Sequence, residues 1–227
     1  MIVAMRHLLT GLAATFAGGV WAVPALAMSF ALSPMADPDC GASCPLVIVA
    51  SGEIELDSNE RFFNFVTSEV VGQKVTSVVL MSSPGGNLVG SLRLGILMRQ
   101  LGFSIMVGQV RNGRFMTANC FSACAYTLAG GKRRIVPEGS KVGVHKAWTK
   151  APGAGDEAGI DGLTSGRIPT SGYQPVLETY LRRMGVSGQL VALANATSAD
   201  DIRVLSRNEL ARLRVVTASG RNGRRRS

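Results

Sequence analysis

Three stretches of this sequence hold residue types that acyl chemistry can use. Ser122 lies in Cys120-Phe121-Ser122-Ala123-Cys124-Ala125, among small neighbours that leave a hydroxyl open to a substrate. At a helix start, the dipole and the free amides favour negative charge developing there. A serine in that place also serves as an ordinary N-cap, the commoner use of the type. Serine is a weak nucleophile without a base. The chain has two histidines. His7 falls in an apolar leader, which leaves His145, at the end of the apolar run Val142-Gly143-Val144. A strand terminus of that kind is where active-site groups of α/β sheets gather. The third stretch is Ser83-Pro84-Gly85-Gly86, between a strand and a helix. Its glycines permit positive φ and close backbone approach, and the first amides of the helix have no internal acceptor. The corner suits a carbonyl oxygen becoming an oxyanion, or simply a tight turn with no ligand. Together the stretches supply nucleophile, base and electrostatic stabiliser, the three roles of acyl transfer.

The elements around them alternate between strand and helix. Leu46 to Ala50, Val75 to Met81 and Ser104 to Gly108 read as compact apolar strands, followed by shorter ones at Arg134 to Val136 and Lys141 to His145. Helices are expected after Asp57, with Asp57 and Glu60 in a capping arrangement, and from Asn87 to Leu101, stopped by Gly102. Others fall at Ser122 to Ala129, Pro175 to Met184 and Ser187 to Ala196, with a last short one capped by Ser206 and Glu209. Arg111 to Thr117 reads as a polar loop, and Trp148 to Gly172, rich in Gly and Ala without a period, as a long mobile one. The alternation predicts parallel crossover units in a layered α/β domain with a helical C-terminal portion.

The totals bound what such a domain does. Of 227 residues, 46% are hydrophobic and 17% charged, a globular balance sized for one domain. The net charge of +9 is dispersed; its densest run, Arg221 to Arg226, lacks interleaved aromatics, so no nucleic-acid partner is expected. Arg6 and His7, the apolar run Leu8 to Val23 and the small-residue ending Ala25-Leu26-Ala27 are the parts of a secretory signal. The expected organisation is a signal peptide at 1–27, a linker at 28–45, the α/β domain at 46–216 and a basic tail at 217–227. The expected location is outside the cytoplasm, with an uncleaved N-terminal anchor as the alternative. Four cysteines, Cys40, Cys44, Cys120 and Cys124, form two matching pairs. In an exported chain they read as disulfides of undetermined pairing, against a four-cysteine zinc site.

The order Ser83-Pro84-Gly85-Gly86, Ser122 among small residues, Leu128-Ala129-Gly130-Gly131, Lys132-Arg133-Arg134, Pro137 with Ser140, and then His145 resembles the Clp protease proteolytic subunit of the Clp protease/crotonase superfamily. It looks closer to that superfamily's exported branch, which also has paired cysteines flanking the serine. The likeness runs from about Leu46 to Val216. It implies Ser122 as nucleophile, His145 as general base and the amides of Gly86 and Ala123 as oxyanion donors. For the aspartate that orients the histidine it implies Asp201, with Asp200 beside it. The implied function is a serine hydrolase, a peptidase acting on small or flexible peptides through an acyl-enzyme, with no cofactor. The stretch standing where the family joins rings lacks an alternating apolar strand, so a homo-oligomer is an open expectation. Two rivals stand beside this reading: a non-catalytic binding protein that kept the fold, and an acyl-thioester hydrolase.

Overall fold

Residues 26–34, 44–147 and 172–217 are described by the structure, a computed structural model. The expected signal peptide up to residue 25, Cys40, the stretch 148–171 and the basic tail from residue 218 lie outside them. Among the described residues, no helix is long and apolar enough to cross a membrane.

The domain is mixed α/β. Its main sheet has the order β1 (Ser29–Ser33), β2 (Leu46–Ser51), β3 (Val75–Ser82), β4 (Ser104–Val107), β8 (Arg134–Ile135). From β2 onward the neighbours are parallel, while β1 runs antiparallel along the edge, Ala31 opposite Val49. The stretch read as linker thus contributes a strand. Its Ser-Phe-Ala-Leu-Ser pattern alternates small polar and apolar residues, and Phe30 packs on Phe62 with ring centroids 5.1 Å apart. Central strands are buried on both faces: Val79, Leu80 and Met81 are consecutive and almost wholly inaccessible. That is the signature of a parallel sheet covered on both sides.

Helix α1 (Ser58–Phe65) links β2 to β3, and α2 (Leu88–Gln100) links β3 to β4. The Asp57 carboxylate makes no capping bond; it lies 3.8 Å from Arg61, and the Ser58 hydroxyl accepts from the Glu55 amide instead. Asn87 does cap α2, its side chain accepting from the Gly90 amide, and Gly102 ends that helix at φ 84°. Helix α3 (Ala123–Gly130) is buried along its entire length. It meets α2 glycine to glycine: a Cβ on Gly130 would fall 2.2 Å from the Gly95 carbonyl oxygen.

A second sheet, in the order β10 (Arg203–Val204), β9 (Lys141–Val144), β7 (Asn119–Phe121), continues from the end of β3 through a bridge between Ser83 and Cys120. The stretch expected as a polar loop is a hairpin, β5 (Gln109–Arg111) with β6 (Arg114–Met116). Asn112 and Gly113 turn it, both at positive φ, the type I′ pair that matches the twist of a two-residue hairpin. The C-terminal portion holds α4 (Tyr173–Arg183), α5 (Gln189–Asn195) and α6 (Arg207–Arg212), the last closed by a reciprocal Ser206–Glu209 capping box. Arg134, 3% exposed, ties this portion to the core by donating to the carbonyls of Val215, Gly131, Met184 and Arg214.

Candidate active site

Ser122 occupies the corner between β7 and α3 at φ 54°, ψ −124°. An L-residue reaches positive φ only at a cost of about 1–3 kcal/mol when its surroundings impose it. Here they do. The Ser122 amide donates to the Gly143 carbonyl at 2.9 Å, and the chain must turn at once into α3. Gly85 also presses against the corner: a Cβ there would come within 2.7 Å of Ser122 Cβ and 2.9 Å of the Phe121 carbonyl oxygen. The Ser122 hydroxyl makes no capping bond to α3. It points away from the helix to His145, with Oγ 2.6 Å from Nε2.

His145 follows β9 directly. Its Nδ1 lies 2.7 Å from the Ala199 carbonyl oxygen. A carbonyl oxygen only accepts, so Nδ1 carries the proton of the neutral ring and Nε2 presents its lone pair to the Ser122 hydroxyl. This is the tautomer a general base needs. The carbonyl is held in place by pairing along β9. The Lys146 amide donates to the Thr197 carbonyl at 3.1 Å, Arg203 pairs with Val144, and the Leu205 amide donates to the Val142 carbonyl at 2.8 Å.

Asp200 and Asp201 are both exposed. The Asp201 amide donates to the Ser198 carbonyl at 3.2 Å, and the Asp200 amide to the Ser198 hydroxyl at 3.4 Å. The hydrogen bond that the resemblance assigns to Asp201 is made by the Ala199 backbone. No side chain is involved, so no residue type in the sequence signals that partner.

Gly86 follows Gly85, which packs on the Ser122 corner, and Ala123 follows Ser122. Gly86, at φ 127°, sits in a bridge whose hydrogen bonds use the Gly85 carbonyl and the Asn87 amide, both to Ile54. The Gly86 amide is left out of that ladder. Ala123 is the first residue of α3, where an amide has no intrahelical acceptor. Ser83, buried at the head of the Ser83-Pro84-Gly85-Gly86 stretch, braces the turn: its Oγ accepts from the Gly85 amide at 3.1 Å. A serine two residues before a glycine is the signal for such a turn.

Cys120 and Cys124 form a disulfide across the corner, with Cα atoms 5.2 Å apart. Both are fully buried, while Ser122 is half-exposed. Cys44 is also disulfide-bonded. With two of the four sulfurs joined to each other, a four-thiolate zinc site cannot form.

A cleft of about 600 Å³ adjoins the corner, lined among others by Pro84, Gln109, Thr117, Asn119, Phe121 and Lys141. Ser122 and His145 lie outside its lining. Its walls nevertheless lead to them, because Phe121 precedes Ser122 and Pro84 precedes Gly85.

No protein-family model matches the chain, and no curated protein matches it. Among solved structures, a mutant of the 1510-N membrane-bound stomatin-specific protease is similar over 75% of this chain and 76% of that one, at 14% identity and a TM-score of 0.47.

Proposed function

We propose that the chain is a serine hydrolase of the peptidase type, built on the crossover units of the Clp protease/crotonase superfamily and working outside the cytoplasm on small or flexible peptides. The observation that carries this reading is the 2.6 Å contact between Ser122 Oγ and His145 Nε2 at a strained strand-to-helix corner. A strained corner that lifts a serine away from its own helix is a known device for exposing a nucleophile.

In the proposed reaction Ser122 Oγ attacks the acyl carbon and gives its proton to His145 Nε2. The carbonyl oxygen becomes an anion facing the amides of Gly86 and Ala123. His145 then protonates the leaving nitrogen, and water, activated by the same ring, releases the acyl group. The neutral Ala199 carbonyl keeps the ring in the correct tautomer but offers the imidazolium less stabilisation than a carboxylate would. This favours a slow enzyme, and it is also what supports the second reading, a binding protein that kept the fold.

A fluorophosphonate probe on the mature protein separates the two. The hydrolase reading expects labelling that Ser122→Ala abolishes and that His145→Ala slows by about 10²- to 10⁴-fold. Equal labelling of wild type and Ser122→Ala rejects it, and absence of labelling in a folded wild-type protein leaves the binding protein.

A further inference from the structure

We propose that the cleft beside Ser122 is a subsite for a peptide carboxylate, read by Lys141 and favoured by Arg111 and Arg114 on the neighbouring hairpin. The inference deepens the hydrolase reading and rests on it for the position of the scissile bond.

Among the described residues, Lys141 is the one ionisable side chain in the lining of the cleft. It is exposed, and among the described residues it has no ion pair or side-chain hydrogen bond. Glu138, in the preceding turn, does not pair with it. The parallel register of β7 and β9 sets Asn119 opposite Lys141 and Phe121 opposite Gly143. Residues two apart on a strand share a face, so Asn119, Lys141 and Phe121 look the same way. Gly143 has no side chain of its own on that face, and its neighbours fill the space: a Cβ there would meet Ile202 Cγ2 at 2.5 Å and Phe121 Cδ1 at 3.0 Å. An extended chain leaving Ser122 passes Phe121 first and then the Asn119–Lys141 pair. At about 3.3 Å per residue, Lys141 is reached roughly three residues from the scissile bond.

The hairpin gives an independent indication. Its base supplies Gln109 and Thr117 to the cleft. Arg111 and Arg114 are cross-strand partners on either side of its two-residue turn, both exposed. Like charges placed directly opposite each other are unfavourable. Among the described residues no carboxylate offsets this pair, and a bound anion would.

The test is anisotropy binding to the mature Ser122→Ala protein, using labelled, N-acetylated, C-amidated peptides that carry one Glu, Gln or Lys at a fixed position. A Gln peptide with a free C-terminus serves as a fourth arm. The Glu peptide should bind about five- to tenfold more tightly than the Gln peptide, and the Lys peptide more weakly than either. The difference should shrink in about 0.5 M salt. Tighter binding of the free-acid Gln peptide than of its amide would identify a terminal rather than a side-chain carboxylate as the group read. Lys141→Gln should remove the discrimination and Lys141→Glu reverse it. The charge-matched change Lys132→Glu, away from the cleft, should preserve it. Equal binding of the Glu, amidated Gln and free-acid Gln peptides overturns the subsite, as does loss of the preference in Lys132→Glu to the same degree. Binding here needs no nucleophile, so the two readings fail separately. Charge discrimination without fluorophosphonate labelling of wild type rejects only the hydrolase, and labelling without discrimination rejects only the subsite.

Discussion

Arg134 and His145 are both held by backbone carbonyls where a carboxylate is the usual partner, and the fold treats them in opposite ways. Arg134 is buried among the ends of three helices. It donates to the carbonyls of Val215 at 3.0 Å, Met184 at 3.1 Å, Gly131 at 3.3 Å and Arg214 at 3.0 Å, while its own amide and carbonyl bond to Thr217. Helix C-termini present unpaired carbonyls with partial negative charge, so the guanidinium finds its counter-charge in the backbone. Burial, followed by the nearby Arg99, pulls its pKa down to about 10, which still leaves it charged at neutral pH. His145 has one carbonyl on one nitrogen and a hydroxyl on the other, in a half-exposed setting. A saturated group is fixed. A group with a single neutral anchor is held less completely, and the second ring nitrogen is where the proposed chemistry takes place.

The largest effect expected from breaking this contrast is at the saturated end. Arg134→Met leaves the carbonyls of Val215, Gly131 and Arg214 without a donor in a buried site, while that of Met184 keeps Arg99, and should cost about 3–5 kcal/mol of stability. Urea unfolding would show it as a lower midpoint. Arg134→Lys has one ammonium for four divergent acceptors and should recover only part of the loss. A midpoint for Arg134→Met close to wild type would mean that the C-terminal portion is held by its apolar contacts alone.

The next effect lies at the strained corner. Glycine adopts φ near +54° without penalty, whereas alanine keeps the strain and loses the hydroxyl. Both changes remove the hydrogen bond to His145, so comparing them isolates the backbone. Ser122→Gly should be more stable than Ser122→Ala by about 1 kcal/mol. Equal thermal midpoints would show that the corner stores no strain.

How much of this was legible beforehand depends on whether a side chain or a backbone atom does the work. Ser122, His145 and the Ser83-Pro84-Gly85-Gly86 corner stood out because their side chains, or the lack of them, are specific. Ser206 and Glu209 stood out as a capping box for the same reason. The partner of His145 Nδ1 did not, because every residue has a carbonyl and only the pairing of the 197–205 segment along β9 selects that of Ala199. The hairpin was missed although Asn112-Gly113 is a strong turn signal, because charged residues on both sides masked its short strands. Strand β1 was missed because five residues of mixed pattern beside a cysteine-bearing stretch resemble a linker until Phe30 finds Phe62. Asp57 was assigned a cap on its type alone, and Arg61 competes for its carboxylate.

A smaller, sharper expectation concerns His145. If the Ala199 carbonyl sets the tautomer, Asp201→Asn and Asp200→Asn each change the rate of fluorophosphonate labelling by no more than about threefold, since an exposed carboxylate acts only through a screened field. A drop of a hundredfold or more in either variant would restore a carboxylate to the role and displace the carbonyl.

The smallest effect concerns the far end of the segment that carries that carbonyl. Glu209 receives the Ser206 amide and hydroxyl, both at 2.9 Å, and pairs with Arg203 of β10 at 2.7 Å. These contacts, the Ser206 amide first, hold its carboxyl down at about 2, whereas an unfolded glutamate titrates near 4.3. The folded state therefore binds the proton less readily than the unfolded one. The resulting stabilisation is fully present above about pH 4.3 and is lost as pH falls toward 2. Glu209→Gln keeps a capping side chain but has no carboxylate to titrate, so it should differ from wild type most above pH 5 and converge with it near pH 2. Unfolding midpoints across that range would show the convergence, and a constant offset at every pH would mean that Glu209 acts by shape alone. Because Arg203 pairs with Val144 beside His145, loosening this cap should reach the Ala199 carbonyl only through β10, and far more weakly than removing any atom of the site itself.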